Sequence, residues 1–474
     1  MDTLKKLLFL LLFTSGIVIS CKDEPNPVEE APQLTQDINN FIKSVMEEVY
    51  LWYKELPDID TRYEFDSKEY FEKLRYTDDK WSFVTDDVES YENSIEGVEK
   101  SYGWSLAFGN FVDENSNPTG DMFALVEFVY PGSPADLAGI KRGDFIYKIN
   151  DADITEVNYA NLLNTSSISF EYGQVVESNI LNSKSASLTA LELNLNPVVF
   201  TNIIEEGGKK IGYLFYAQFI DKYNSSIDTA LQHFVDAGVT DLVLDLRYNP
   251  GGTSPATQHL CSAIAPPDAV NNNKVIVSYL WNNKFQDYFE TNGIMNQLEI
   301  RFTNAIDIKL GLNSVHVLTG RGTASASELL ITGLDAYMNV VKVGETTYGK
   351  YTGGAISWKP EDFYEDSNYY ADFKNWGIYA IMFRFANSVG VTDFKNGFAP
   401  NIEVEDDIFS PTPLGDKTEA LLKAAIEDIT GIEVLAKKST SIPKYEIFDR
   451  GFSKFDAFKR EFLITDFDKD LAKR

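Results

Sequence analysis

Apolar residues recur along this chain with two different periods. From Asp37 to Tyr53, residues Ile38, Phe41, Ile42, Val45, Met46, Val49 and Trp52 fall at helical spacing, the stripe of an amphipathic helix that covers another domain. Phe65 to Thr77 and Asp79 to Phe83 extend this into a small, mostly helical N-terminal region, residues 34–95. Ser185 to Ile204 reads as two β-rich segments, and Glu205-Glu206-Gly207-Gly208 as a hairpin-like turn. Ser226 to Ala237 predicts a helix, and Asp241 to Arg247 a buried strand. Val315 to Leu318 has β character and leads through a small-residue turn into a helix-like run, Glu328 to Leu334. A second apolar run, Asn339 to Val343, a β-like stretch from Ile378 to Phe385 and a helix from Thr418 to Thr430 follow. Residues 431–474 form a C-terminal extension in which Ile442 to Arg474 alternates aromatic and charged residues, with no assigned role.

Between the helical region and the strands lies a stretch with its own punctuation, residues 96–175. Its strongest signal is Tyr130-Pro-Gly-Ser-Pro-Ala-Asp-Leu-Ala-Gly-Ile140, followed by Arg142-Gly-Asp-Phe-Ile146 and Ile149-Asn150. Gly132 permits a turn, Ser133 can cap a helix, Pro134 suits its first position, and Gly139 suits a left-handed stop. Leu162-Leu163 belong to a second helix. The stretch resembles a PDZ domain. PDZ folds bind a peptide C-terminus by adding it as a strand, with backbone N–H groups holding the carboxylate. The matching loop is Tyr102-Gly103-Trp104-Ser105-Leu106, where Trp104 departs from the small residue that such loops carry.

Composition and the N-terminus set the compartment. The 474 residues hold 42 Lys+Arg against 72 Asp+Glu, a net charge of −30, which disfavours nucleic acid and anionic membrane surfaces. Met1 to Ser20 reads as a signal peptide, with Lys5-Lys6 ahead of the apolar run Leu7 to Ile19. That run is shorter than the ~20 residues a membrane span needs. Val18-Ile19-Ser20-Cys21 resembles a bacterial lipobox, which makes Cys21 the lipidation site, and residues 21–33 a Pro- and Glu-rich tether. Lys22-Asp23-Glu24 resembles the acidic surface-export tag of some lipoproteins. The expectation is an outer-membrane lipoprotein in the envelope of a Gram-negative bacterium, facing the periplasm or the cell surface. The second cysteine, Cys261, then has no intramolecular disulfide partner. No His/Cys metal cluster and no phosphate-binding glycine loop is present, so no metal or cofactor is expected.

The candidate chemistry sits at Gly322-Thr-Ala-Ser-Ala-Ser-Glu328 and Tyr348-Gly-Lys350. A serine at such a turn meets the next residue's N–H at a helix N-terminus, a setting suited to an oxyanion. A nucleophilic serine needs a base. The chain has 3 histidines, His233, His259 and His316, none in a local motif with Ser325. Lys350, 25 residues after Ser325, is the better candidate, because a desolvated lysine sheds its charge and accepts a proton. Read alone, the same residues also fit a Ser/Ala-rich helix start beside a surface lysine.

Thr323-Ala-Ser-Ala-Ser-Glu328 followed by Gly344-Glu-Thr-Thr-Tyr-Gly-Lys350 resembles the S41 serine peptidases, the tail-specific or C-terminal processing type. The resemblance spans residues 34 to 430 and implies an α/β core with a ββα-superhelical, crotonase/ClpP-like fold (residues 185–430), joined to the PDZ-like domain and the helical region. It implies Ser325 as nucleophile and Lys350 as general base, with Ser327 capping or packing. It also implies oxyanion-hole N–H groups from Ala326 and from Gly251 or Gly252 in Asn249-Pro-Gly-Gly252. Asp245 and Arg247 fix that loop by ion pairing. Some members orient the lysine with a Gln four residues on, where Gly354 stands here; others use an Asp eleven residues after the serine, where Ala336 stands, one past Asp335. The third catalytic residue is therefore left open. The implied reaction is endopeptidase cleavage of polypeptides through an acyl-enzyme, with the PDZ-like domain recognising or gating C-termini. The alternative is a non-catalytic lipoprotein on the same fold that binds peptides or apolar ligands.

Overall fold

Alternation along the strand Lys209–Tyr216 serves two cores at once. Ile211, Tyr213 and Phe215 share one apolar layer with Val243, Leu318, Val343 and the helix Ala420–Thr430. Leu214 and Tyr216 face the other way, joining Leu242, Leu244, Val315 and Val317 under the helices Asn224–Ala237, Ser254–Ile264 and Ala326–Asp335. A sheet buried on both faces explains why its strands are nearly continuous apolar runs. The computed structural model describes residues 29–176, 179–355, 357–409, 412–435, 444–452, 462–464, 467 and 469. The leader, Cys21 and most of the tether lie outside the described residues.

That sheet has six strands in chain order: Val198–Glu206, Lys209–Tyr216, Asp241–Asp245, Ser314–Thr319, Asn339–Gly344 and Ile402–Glu403. The first pair is an antiparallel hairpin in which Glu206 faces Lys209 across Gly207-Gly208. Both glycines have positive φ, 58° and 74°, as a tight two-residue hairpin turn requires. The other neighbours are parallel. The carboxyl ends of Asp241–Asp245, Ser314–Thr319 and Asn339–Gly344 therefore lie side by side. The loops that leave them carry Asn249–Gly252, Ser325 and Lys350. In open parallel sheets ligands bind at this end.

The N-terminal helix Gln33–Val49 buries the expected stripe, Ile38, Phe41, Ile42, Val45, Met46 and Val49, in the larger core. The stretch Ile378 to Phe385 is two strands rather than one. Gly377–Tyr379 pairs with Phe83–Thr85, and Phe383–Asn387 with Val275–Trp281. A single residue run thus ties the helical region to the core.

The PDZ-like sheet contains Trp104–Val112, Pro118–Val129, Phe145–Ile149, Ser167–Val176 and Asn179–Thr189. It runs past residue 175 to Thr189, so the boundary read at 175–185 falls too early. A strand paired along its whole length belongs to its sheet, and the first core strand starts at Val198. The helix Pro134–Leu137 begins as expected, with the Ser133 hydroxyl accepting the Asp136 N–H at 3.3 Å. Residues 431–474 are not a mere appendage. Tyr445–Phe452 adds to the PDZ-like sheet beside Trp104–Val112, and Phe462–Ile464 enters a second core sheet.

A buried ionic cluster joins the PDZ-like domain to the core. Arg247 donates to Asp245 from Nε at 3.0 Å and to both Glu419 oxygens at 2.6 and 2.9 Å. Arg142 donates to Asp406 at 2.8 Å, and Arg247 reaches the same carboxylate at 3.1 Å. Burial alone would raise the Asp406 carboxyl, yet Arg142, Arg247 and Arg450 hold it far below the usual carboxylate range. Asp245 and Arg247 do fix the loop, and through Asp406 they reach into the neighbouring domain.

Candidate active site

Ser325 stands at the start of the helix Ala326–Asp335 with φ 57° and ψ −113°. A non-glycine residue there costs about 1–3 kcal/mol, strain the surroundings must enforce. They do so from two sides. Thr323 donates its hydroxyl to Leu246 O at 2.8 Å, and Ala324 N–H donates to Asn249 O at 3.1 Å. Ser327 donates to the same Asn249 carbonyl at 3.1 Å, which is the packing role expected of it. Ser325 Oγ is buried and makes no hydrogen bond among the described residues.

Glu328 is the element that binds this turn to the lysine loop. Its carboxylate accepts from Ser325 N–H at 2.9 Å and Lys350 N–H at 2.8 Å, both on Oε2. Oε1 accepts from Gly349 N–H at 2.7 Å and the Thr347 hydroxyl at 2.6 Å. Two ordinary hydrogen bonds to one oxygen bring the Ser325 and Lys350 nitrogens within about 6 Å of each other. Glu328 is fully buried, and burial pushes its carboxyl up to about 7 against those four hydrogen bonds, which favour the anion. Its role was not read from the sequence, although the Ser325-x-x-Glu328 spacing is that of a capping box, in which the third helical residue reaches back to the cap N–H.

Lys350 is 0% exposed, as is Ser325. Its ammonium nitrogen lies 5.2 Å from the centre of the Tyr379 ring. The two positions considered for an orienting side chain do not serve. A Cβ on Gly354 would fall 2.2 Å from Ala380 O, and Asp335 is exposed at the far end of the helix. The histidines are occupied elsewhere or exposed: His259 pairs with Asp228 at 2.7 Å, His316 with Asp428 at 2.8 Å, and His233 lies at the surface.

The glycine loop meets the serine closely. A Cβ on Gly251 would lie 2.7 Å from Ser325 Cβ and 2.9 Å from Ala326 N, so only glycine fits there. The Gly251 N–H, however, donates to Asn249 Oδ1 at 2.9 Å. In this state the Gly251 N–H is held by the loop's own side chain. Gly251 or Gly252, with Ala326, are the candidate donors. Ala326 is the first helical residue, whose N–H has no acceptor within the helix.

The PDZ-side candidates are placed differently. Tyr102, Gly103, Trp104, Ser105 and Leu106 are all buried. Gly103 N–H donates to Ser101 Oγ at 3.1 Å, and its carbonyl accepts from Tyr130 N–H at 2.8 Å. A Cβ on Gly103 would lie 2.1 Å from Ser133 Cβ. The loop is thus fastened to the Pro131–Pro134 turn, with the Gly103 N–H turned to Ser101 instead of an incoming carboxylate. The strand that follows it remains an edge on which another strand pairs.

Three family models match in the order the fold shows. They are the peptidase S41 N-terminal domain at residues 37–83, a PDZ domain at 125–167, and peptidase family S41 at 210–404. The chain belongs to peptidase family S41. Among curated S41 relatives, the carboxyl-terminal-processing protease of Synechocystis is 26% identical over 318 residues, 66% of this chain and 66% of that one. The carboxy-terminal processing protease CtpB of Bacillus subtilis is 24% identical over 428 residues, 85% of this chain and 78% of that one. The crystal structure of a putative S41 protease from Bacteroides fragilis superposes with a TM-score of 0.65 at 27% identity, covering 82% of this chain and 97% of that one.

Proposed function

We propose that this S41 chain is a serine endopeptidase that processes polypeptides near their C-termini through an acyl-enzyme on Ser325. The observation that carries the reading is the link through Glu328. One buried carboxylate fixes the backbone of a serine with an unengaged hydroxyl and the backbone of a buried lysine. The relatives' printed names, carboxyl-terminal-processing proteases, support the substrate class.

In the proposed mechanism Ser325 Oγ attacks the scissile carbonyl while Lys350 takes its proton. The N–H of Gly251 or Gly252 and that of Ala326 receive the developing oxyanion. Lys350 returns the proton to the departing amine, and water, deprotonated by the same lysine, resolves the ester. The PDZ-like domain recognises or gates the substrate. Ser325→Ala is expected to lower kcat/KM on an unstructured polypeptide by at least ~10³-fold while leaving binding of that polypeptide intact. Mass spectrometry of the products and a binding titration measure the two; hydrolysis surviving in Ser325→Ala would refute the reading.

The lipobox-like Val18-Ile-Ser-Cys21 supports a lipid anchor at Cys21 and a place at the outer membrane of a Gram-negative envelope. Among the described residues no helix is long and apolar enough to cross a membrane. Cys21→Ala is therefore expected to move the protein from the membrane fraction to the soluble fraction. Retention of the Cys21→Ala protein in carbonate-washed membranes would remove the anchor from the proposal.

A further inference from the structure

Two stretches of the C-terminal segment, Tyr445–Phe452 and Phe462–Ile464, pair with strands of the PDZ-like domain and of the core. Tyr445–Phe452 pairs antiparallel with the edge strand Trp104–Val112, Tyr445 opposite Phe111 and Phe452 opposite Leu106. It therefore runs toward the Tyr102–Leu106 loop, on the edge where strand addition binds peptides. Its other flank meets the second PDZ helix, Tyr159–Leu163. The Phe448 ring centre is 5.7 Å from that of Tyr159, and the Tyr159 hydroxyl donates to Asp449 at 3.1 Å. The segment also supplies countercharge to a fully buried carboxylate. Glu127 accepts from Gly451 N–H at 3.1 Å and Arg450 at 3.4 Å, as well as from the Ser105 hydroxyl at 2.8 Å.

Further on, Phe462–Ile464 lies between Gly252–Thr253 and Thr352–Ala355, parallel to both. Phe462 faces Gly252; Leu463 faces Thr253 on one side and Gly354 on the other. Strands pair about 4.8 Å apart, so these two edges are spaced for one extended chain between them. One edge leaves the oxyanion loop, and the other begins two residues after Lys350. Beyond the cleft the segment is fastened again. Phe467 packs on Trp281, Phe285 and Trp358 with ring centres 5.5, 5.7 and 5.8 Å away. Lys469 donates to Asp362 at 2.8 Å and to Ser357 O at 2.6 Å. Ser325 and Lys350 are both completely buried in this arrangement.

We propose that the C-terminal segment is a tethered ligand of the chain's own peptide path, filling the PDZ groove with Tyr445–Phe452 and the cleft beside Ser325 with Phe462–Ile464. A polypeptide substrate binds only after displacing it. The second half of this statement rests on the peptidase reading; the occupancy of the PDZ groove does not. Tethering raises the effective concentration of such a ligand at its own site. A free peptide of equal intrinsic affinity is correspondingly weakened until the tether is cut.

The test uses the full chain carrying Ser325→Ala, with a site-specific protease sequence inserted between Lys438 and Ser439. The protein is folded first and cut afterwards. The probe is a fluorescein-labelled synthetic peptide of residues 444–469, followed by anisotropy. Cut protein, after dilution, is expected to bind it at least about tenfold more tightly than uncut protein, because the cut removes the tether's concentration advantage. Equal binding would overturn the proposal. An uncut second variant, Phe467→Ala with Lys469→Glu, loosens only the fastening beyond the cleft and is expected to bind the probe several-fold more tightly than its parent. No gain in that variant would overturn the proposal even if the inserted site resists cutting. Both measurements read binding without catalysis, so the tethered ligand and the peptidase activity can fail independently of each other.

Discussion

Lys350→Arg is expected to lower kcat/KM for peptide hydrolysis by at least ~10³-fold, within the range a positioned general base contributes. The base must be neutral to accept the Ser325 proton, and a solvated lysine titrates at about 10.4. Lys350 is withdrawn from water completely. A guanidinium stays charged under all working conditions, so arginine keeps the charge and loses the base. Lys350→Met, of similar length and without a proton acceptor, should be equally inactive, and circular dichroism of both variants separates lost chemistry from lost fold. Alanine at His233, His259 or His316 should leave most activity, because two of these rings are paired with surface-side carboxylates, Asp228 and Asp428, and the third is exposed. An active Lys350→Arg enzyme would mean that another group takes the proton.

Local chemistry singled out Ser325 and Lys350, and the role of the glycine loop came only with the resemblance. A strained turn, a helix start and a glycine loop each demand particular residues at fixed spacing, and Thr323–Glu328, Asn249–Gly252 and Gly349-Lys350 carry them in the sequence itself. The buried strand Asp241–Asp245 was legible because both of its faces are covered. What was not legible depends on partners distant in sequence. Arg247 reaches Glu419 and Asp406, more than 150 residues away. Ile442 to Arg474 carried no assigned role, because its alternation of aromatic and charged residues names no edge to pair with. The partner of the Gly251 N–H was hidden for a related reason. A glycine announces close approach, whereas the acceptor its N–H chooses, here Asn249 Oδ1, is set by the folded loop.

Glu328→Gln tests the link between the serine and the lysine. All four hydrogen bonds to Glu328 are donated to it, two on each oxygen. An amide offers one oxygen and turns an NH₂ group toward two of those donors. Leaving buried donors unsatisfied costs about 1–3 kcal/mol each, and the loss falls on the backbone that places Ser325 and Lys350. A roughly 10²-fold fall in kcat with little change in KM is expected, since misplacement of about 1 Å costs that much. The pH dependence separates a positioning role from a merely structural one. In the wild type the Glu328 carboxyl is raised from 4.5 to about 7 by burial. Protonation puts a hydrogen where a donor already points, so activity should fall through an acid limb near pH 7. Stability runs the other way. The folded chain holds this proton more tightly than the unfolded one, so the contribution is complete below about pH 4.5 and is lost as pH rises through 7, by about 3 kcal/mol. In Glu328→Gln both the acid limb and this slope should vanish. Denaturant melts from pH 4.5 to 8, run beside kcat profiles, measure the two trends. An unchanged acid limb in Glu328→Gln would assign it to a different group and leave Glu328 with no part in catalysis beyond holding the fold.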